Sequence, residues 1–408
     1  MTKTVVIVGA LDTKGEEFAF LKGIIEEAGV DTLVVDFGVM GEPAFPPDVS
    51  RDEVATAGGG DLGYLASGGH KDEAMATMAK GLAGVVQRLY DEGKLDGIIG
   101  MGGSGGTSIA TAGMRVLPVG VPKVMVSTVG GGDVSAYTGT RDITFMPSIV
   151  DVAGINSISR RIYANAAGAI AGMVKAEAPA LVEERPLVAA SMFGNTTVCV
   201  DRAREVVEKK GYEVLVFHAT GTGGRTMEAL IADGYIDGSL DITTTELADY
   251  VCGGVMSAGP ERCMAASRAG IPAVIVPGCV DMANFWGIET VPERHKERNL
   301  YQWNPNVTLL RTNIEENRKI GEMIAAAANA ATAPVAIVLP LRGVSMLDSI
   351  GEDGEANRFW DPAADQACFD AIKRNVKADV PVIELDHNIN DTEFADRCAA
   401  LLLEMLKA

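Results

Sequence analysis

The 408 residues carry a formal net charge of −20, which argues against a nucleic-acid or anionic-membrane surface and requires any bound anion to be met locally by N–H groups, Lys, Arg or a metal. With 47% hydrophobic and 22% charged residues the composition is that of a globular protein, and the length makes two α/β domains the default. The six cysteines (Cys199, Cys252, Cys263, Cys279, Cys368 and Cys398) form neither CxxC nor a zinc spacing and read as reduced thiols. No apolar run is long enough for a signal peptide or membrane span, so a cytoplasmic protein is expected.

Thr4 to Ala10 reads as a first parallel strand, followed by a polar turn, Leu11 to Gly15. Glu16 to Ala28 is an amphipathic helix and Thr32 to Phe37 a second strand. Ligands of such βαβ units gather outside the C-terminal strand ends. Asp12, Lys14 and Asp36 lie there: Asp36 could hold a ribose hydroxyl and Lys14 a phosphate, or each is a solvated loop charge. Residues 41–70 read as a long irregular loop, and Lys71 to Glu92 as a helix.

The stretch Asp96 to Ser108 (DGIIGMGGSGGTS) is the centre of the chain. A buried strand runs into five small residues, Gly102, Gly103, Ser104, Gly105 and Gly106, and a helix follows from Thr107. Strand, glycine turn and helix is how an α/β protein holds a phosphate on free N–H groups. Ser104, Thr107 and Ser108 add hydroxyl donors. The bland alternative is a tight turn without a ligand. Residues 100, 102 and 105 satisfy GxGxxG, but no Asp or Glu stands between Asp96 and Asp133 to hold a dinucleotide ribose, and no Walker Gly-Lys-Ser/Thr is present. Lys123 to Ser127 is the next strand, ending in a second glycine turn, Thr128, Val129, Gly130, Gly131, Gly132 and Asp133. The two turns read as walls of one anion site that includes Ser127 and Thr128, with Asp133 as a magnesium ligand.

Thr138 to Pro147 reads as an edge strand and Asp151 to Lys175 as a long helix, Asn156 capping it. Arg160, Arg161 and Tyr163 read as solvated or at an interface. The small residues Ala164 to Gly172 would allow close helix packing, including between subunits. Residues 179–186 read as a linker between domains 1–178 and 187–408. A second α/β run begins at Leu187. Its strand Glu213 to Phe217 leads into a third glycine turn, His218 to Arg225, in which Thr220, Gly221, Gly223, Gly224 and Arg225 are candidates for a second, anionic substrate. GKLDGIIGMGG near residue 93 echoes GYIDGSLDITT near 234, and GVPKVMVSTVGGGD near 120 echoes GIPAVIVPGCVDM near 270. The fold class is therefore α/β, with two Rossmann-like, doubly wound parallel-sheet subdomains expected to face each other across a cleft. Residues 285–306 read as a polar, aromatic loop, Val307 to Arg311 as a strand, Thr312 or Asn313 as a helix cap, and 341–360 as a second long loop.

The segments GALDTKGEE (9–17), GMGGSGGTS (100–108), STVGGGDV (127–134), FHATGTGGRTME (217–228), RTNIEEN (311–317) and PLRGVSMLD (340–348) resemble a largely uncharacterised bacterial and plant family that includes the tomato mosaic virus resistance protein. The resemblance spans essentially the whole chain. It implies an ATP-binding module of two Rossmann-like subdomains, commonly a homodimer, joined in plant members to a TIM barrel. A separate barrel protein would then be a partner here. It places the ATP phosphates on Gly102 to Thr107 and Gly130 to Asp133, with Asp12 and Lys14 nearby. Trp303 stands where the family pattern commonly has a His before Asn-Pro.

Two functions are weighed. One is an ATP-dependent enzyme, transferring a phosphoryl group or activating an acid. His218 would be its general base, with Glu261, Arg262, Arg311, Asp348 and Asp361 as further candidates and an arginine clamping an anion. The other is a nucleotide-gated binding module acting with a barrel partner, without chemistry of its own. A nicotinamide dehydrogenase rests on GxGxxG alone.

Overall fold

The computed structural model describes residues 2–177, 185–351 and 353–407. The chain divides into two compact units, Met1–Ala180 and Leu181–Ala408. Of the expected linker, residues 179–184 lie outside the described residues.

The first unit is a five-stranded parallel sheet of β1 (Thr4–Gly9), β2 (Asp31–Asp36), β3 (Gly97–Gly102), β4 (Lys123–Ser127) and β5 (Thr144–Pro147), in the order β2-β1-β3-β4-β5. Alternate residues of each strand feed opposite cores. Val5 and Ile7 meet Phe18 and Leu21 of the helix Leu11–Glu27 and Ala166 and Ile170 of the helix Ser159–Lys175. Val6 and Val8 meet Met78 and Leu82 of the helix Lys71–Asp91 and Ile109 and Met114 of the helix Ser104–Arg115. Covered on both faces, β1 and β3 can be apolar throughout, which is why they stand out in the sequence.

Several details differ from expectation. Within residues 41–70 the chain forms the helices Arg51–Gly58 and Leu62–Ala66. Each is started by a side-chain cap: Glu53 N–H donates to Ser50 Oγ (3.2 Å) and Tyr64 N–H to Asp61 Oδ1 (2.8 Å). The helix expected from Asp151 begins at Ser159, with Asn156 Oδ1 accepting the N–H groups of Ile158 and Ser159. Tyr163 is fully buried, not solvated. The small residues Ala166, Ala167 and Ala171 of its helix pack in the same core as the first helix, so their close packing is met inside the unit.

The second unit is a six-stranded parallel sheet of β6 (Leu187–Met192), β7 (Glu213–His218), β8 (Gly238–Thr243), β9 (Ala273–Gly278) and, later in the chain, β13 and β14. A separate antiparallel sheet intervenes, formed by β10 (Met282–Phe285), β11 (Leu300–Asn304) and β12 (Val307–Arg311) in the order β10-β12-β11. Thus residues 285–306 are not one loop. The strands β13 (Val335–Pro340) and β14 (Val382–Leu385) complete the parallel sheet, ordered β14-β13-β9-β8-β6-β7. Counted within each unit, both sheets run second-first-third-fourth-fifth, and the second adds one strand at its far edge. The echoing segments near residues 93 and 234 fall on the third strand of each sheet, β3 and β8, and those near 120 and 270 on the fourth, β4 and β9. In this order the connection reverses direction beside the first strand, and that switch point is where open α/β sheets bind ligands.

Candidate functional site

In the first unit the switch point lies between β1 and β3, and β3 runs directly into the glycine turn. Gly103 takes the extended cap position, the helix Ser104–Arg115 follows, and no side chain caps its N-terminus. The first N–H groups of such a helix have no partner in the helix itself. The second turn lies alongside, with Thr128 N–H donating to the Gly102 carbonyl (3.2 Å). None of the glycines 102–106 or 130–132 has a positive φ. An added Cβ would meet nothing within 4 Å at Gly131, only Met75 Cε at 3.5 Å at Gly105, and only Met101 O at 3.7 Å at Gly106. Neither backbone conformation nor packing within the unit demands glycine at these three positions. Their bare backbone leaves open space over uncapped N–H groups.

A cavity of about 360 Å³ adjoins this turn. Its walls are apolar, with Val39, Met40, Leu65, Met75 and Ile109, and His70 and Lys71 also line it. Met75, which lines the cavity, is also the side chain nearest a Cβ built at Gly105.

Other residues expected to face a nucleotide are engaged within the protein. Thr107 and Ser127 are buried and share a hydroxyl–hydroxyl bond (2.7 Å), tying the two turns together from behind. Asp12 Oδ2 accepts the N–H groups of Met40 (2.8 Å) and Gly41 (3.1 Å). Asp36 is fully buried, and its Oδ1 accepts from Leu11 N–H (3.0 Å) and Gly38 N–H (2.8 Å). Burial raises its pKa above the ordinary carboxylate value, against those two bonds. Lys14 Nζ donates to the Val152 carbonyl. These three residues build the loops around the switch point. Ser104 and Thr128 are exposed on the turns. Asp133 is exposed, accepts Ser135 N–H (2.9 Å), and that bond lowers its pKa. Among the described residues no group of three His, Cys, Asp or Glu is placed to hold a metal ion. A magnesium ion carried by phosphates needs only one or two protein carboxylates, so Asp133 fits that limited role.

The second unit places its glycine turn differently. The turn His218 to Arg225 follows the edge strand β7, so its counterpart in the first unit is the end of β2. The position equivalent to the Gly102–Gly106 turn is Thr244, Thr245 and Glu246, after β8. Glu246 is fully buried, and its Oε1 accepts the N–H groups of Gly221 (2.6 Å) and Gly224 (3.0 Å). The anion that this turn holds is thus the protein's own carboxylate. Arg225 is likewise engaged, on the Ser257 carbonyl (2.7 Å) and Thr222 Oγ1 (3.3 Å), and Thr220 Oγ1 turns back to the His218 carbonyl (3.3 Å). Gly223 has its Cβ position blocked by the His218 carbonyl at 1.8 Å.

Arg262 is fully buried and is the other partner of Glu246, through Nε to Oε2 (2.6 Å). Its remaining nitrogens reach Asp241 Oδ2 (2.5 Å) and Oδ1 (2.6 Å) and Glu228 Oε1 (3.1 Å). A guanidinium enclosed by three carboxylates is a fastener of the fold and has no donor left to clamp a substrate. Arg311 is also spent, on Asp365 Oδ1 (2.8 Å) and the Phe359 carbonyl (2.6 Å), with Asp348 at 3.6 Å. Burial and the neighbouring Asp348 raise the pKa of both Asp281 and Asp365 in this cluster. Asp361 caps the helix Pro362–Asn375 by accepting Ala364 N–H (3.1 Å), and its carbonyl accepts from Arg311 Nη2 (3.2 Å). Glu261 is an exposed partner of Arg268 (2.6 Å). His218 is exposed at the end of β7, its ring 5.4 Å from that of Phe193. Of the six catalytic candidates, Arg311, Asp348 and Asp361 meet, and all three serve the fold there.

Glu246 was the most consequential residue missed. The weak internal repeat carried its signal, since aligning GIIGMGG on SLDITT places the TTTE segment where the first half has its glycine turn. In the sequence Met75 and Lys71 are only parts of a helix, and their place on the cavity depends on how helices pack.

The Uncharacterised protein family (UPF0261) N-terminal domain matches residues 3–179, and its C-terminal domain matches 185–406. A UPF0261 protein of Clostridium tetani is 51% identical over 408 residues, covering 100% of both chains. A ToMV resistance protein, Tm-1(GCR237) of Solanum lycopersicum, is 38% identical over 425 residues, covering 98% of this chain and 55% of the tomato protein. Among solved structures, a UDP-N-acetylglucosamine 2-epimerase from Rickettsia bellii aligns with 67% of this chain and 79% of its own at 11% identity, with a TM-score of 0.25, a likeness that says nothing about function. No helix among the described residues is long and apolar enough to cross a membrane. On its domain matches and its relatives, the chain belongs to the UPF0261 family.

Proposed function

We propose that the first unit binds ATP at the switch point of its sheet. The observation that carries this reading is the pairing of an uncapped, glycine-rich helix N-terminus with an apolar cavity of about 360 Å³ near it, the two sharing Met75 as a neighbour. The N–H groups of Ser104, Gly105 and Gly106 face the phosphates, and the turn Gly130 to Gly132 forms the second wall. The cavity takes the base, and its volume lies in the range of small-molecule pockets. Lys71, which makes no ion pair among the described residues, supplies local positive charge on a strongly acidic protein. Asp133 meets a magnesium ion that arrives with the nucleotide.

The function we infer is that of an ATP-dependent metabolic enzyme acting on a small anion. The residues of its second-substrate site are not those of the turn Thr220 to Arg225, because Glu246 already occupies that turn. A second reading is a nucleotide-gated module whose chemistry lies in a partner, such as a barrel protein. It is favoured by the tomato relative, of which this chain covers 55%.

The test is calorimetric titration with ATP and NADH, with and without magnesium, alongside overnight phosphate release. ATP is expected to bind and NADH not. Gly105→Val and Gly131→Val are expected to fold and to lose ATP affinity by at least tenfold, on the order expected when backbone hydrogen bonds to a charged group are blocked. Unchanged affinity in both variants overturns the site. Steady phosphate release supports the enzyme, and binding without release supports the module.

A further inference from the structure

We propose that residues 341–349 form a strap locked by protons, closed over a buried acid cluster of the second unit and loosening as pH rises. The strap does not depend on the nucleotide site of the first unit.

The cluster brings together groups from four parts of the chain. Asp281 follows β9, Arg311 ends β12, Asp348 lies on the strap, and Asp365 lies in the helix Pro362–Asn375. All four are buried. Arg311 Nη2 reaches Asp365 Oδ1 (2.8 Å) and Asp348 Oδ1 (3.6 Å). Three carboxyl groups thus crowd one guanidinium, whose single charge can balance only one of them. Carboxylates pressed together in a low-dielectric site cannot all ionise, so the closed cluster holds protons that an exposed chain releases.

Hydrogen bonds show where those protons sit. Asp348 Oδ2 accepts Val344 N–H (2.9 Å) and its Oδ1 accepts Asp361 N–H (3.3 Å), so both of its oxygens act as acceptors. The protons therefore fall to Asp365 and Asp281. Asp281 Oδ2 accepts from Ser345 Oγ (2.8 Å), while its Oδ1 has no partner and is closed to solvent. A charged oxygen left bare there is costly, and a proton on the group removes that cost. Burial, together with the neighbouring Asp348, raises the pKa of Asp281 and of Asp365. Burial also raises the thiols beside the cluster, Cys279 and Cys368, which stay neutral.

The strap is tied to this cluster from within. Ser345 Oγ, the donor to Asp281, also accepts the N–H groups of Leu347 (3.0 Å) and Asp348 (3.1 Å). Gly343 has a φ of 113°, and the strap folds back so tightly that a Cβ there would lie 1.7 Å from the Asp348 carbonyl oxygen. Val344 is its buried apolar anchor, and Leu347 is partly buried. At the surface nearby, Arg342 pairs with Asp386 (2.7 Å) and His387 with Asp391 (3.3 Å). A carboxyl whose pKa is raised in the closed form keeps a proton that the open form loses above about pH 4. Closure therefore weakens as pH climbs from there toward the raised values, by about a factor of ten per pH unit for each proton held.

The test is amide hydrogen exchange of the full-length protein between pH 5 and pH 7, read as protection factors so that the intrinsic pH dependence of exchange cancels. The amides of Val344, Leu347 and Asp348 are expected to lose protection about tenfold per pH unit for each proton held, while those of β6 and β8 stay more protected. Asp365→Asn, whose neutral amide has no proton to release, is expected to lower that slope by about one decade per pH unit. Asp281→Asn removes the other proton and serves as the second variant. His387 is intact in both, so a slope lost with either is not its own. Strap protection that does not change with pH overturns the proposal. So does a slope unchanged in both variants, or a strap that exchanges only together with β6 and β8.

Discussion

Replacing Arg262 by Met tests whether this residue fastens the second unit or serves a substrate. The side chain is fully buried and donates to Asp241, Glu246 and Glu228. Methionine has nearly the same length and no charge, so the variant removes one cation and leaves three carboxylates facing one another. Breaking a buried ion pair on one side costs about 3–5 kcal/mol. Glu246 cannot simply turn away, because Gly221 and Gly224 N–H groups hold it. For a unit of this size about 1 kcal/mol moves the midpoint by roughly 2–4 °C, so a loss of about 6–20 °C in Tm is expected at pH 8. The sign with pH follows from the orphaned carboxylates. Burial already holds the Glu228 carboxyl above its ordinary value while Arg262 pulls it down, so losing Arg262 raises it further, and the penalty grows as pH climbs past the unfolded value and shrinks toward pH 5. Scanning calorimetry at both pH values measures this, and the gap between wild type and variant is expected to be smaller at pH 5. Arg262→Lys is expected to recover only part of the loss, because a point charge cannot make the forked contact with Asp241. A loss under about 1 kcal/mol at pH 8, or a gap that does not change with pH, refutes the reasoning.

Glycine substitutions separate the two kinds of turn. Gly224→Ala places a methyl 2.0 Å from Glu246 Oε2, and is expected to cost more than about 2 kcal/mol in urea unfolding. Gly105→Ala meets only Met75 at 3.5 Å, and is expected to stay within about 1 kcal/mol of wild type; equal losses at both positions contradict the contrast drawn here. Asp249 is pushed up to about 7 by burial, so the folded protein keeps a proton that the unfolded chain releases near pH 4. Stability is therefore expected to fall as pH rises from about 4 to beyond 7, and Asp249→Asn to flatten that part of the urea-midpoint profile; an unchanged slope removes Asp249 from the account. Asn313→Ala breaks the capping box with Glu316, and is expected to cost about 1 kcal/mol by urea titration without altering ligand binding.

Residue chemistry along the chain determined a good deal by itself. The apolar strands β1, β3 and β4 and the glycine turns behind β3 and β4 were legible because buried parallel strands are uniformly apolar and sharp turns concentrate glycine. The helix cap at Thr312 or Asn313 was legible for a similar reason, since its signal lies within four residues, and the structure assigns it to Asn313. The repeated strand order was visible as two faint echoes. Tertiary structure alone decided which polar groups remain open to a ligand. The N–H groups of Gly221 and Gly224 look as available in the sequence as those of Gly105 and Gly106, yet Glu246, more than 20 residues further on, fills the first pair. Arg262 and Arg311 read as anion clamps until their carboxylate partners at Asp241 and Asp365 are seen. Asn195 and Trp303, over 100 positions apart, line one cavity. The physical reason is common to all of these. A donor or acceptor is typed by its own residue, but its satisfaction depends on long-range neighbours brought to it by packing, and local sequence carries little of that information.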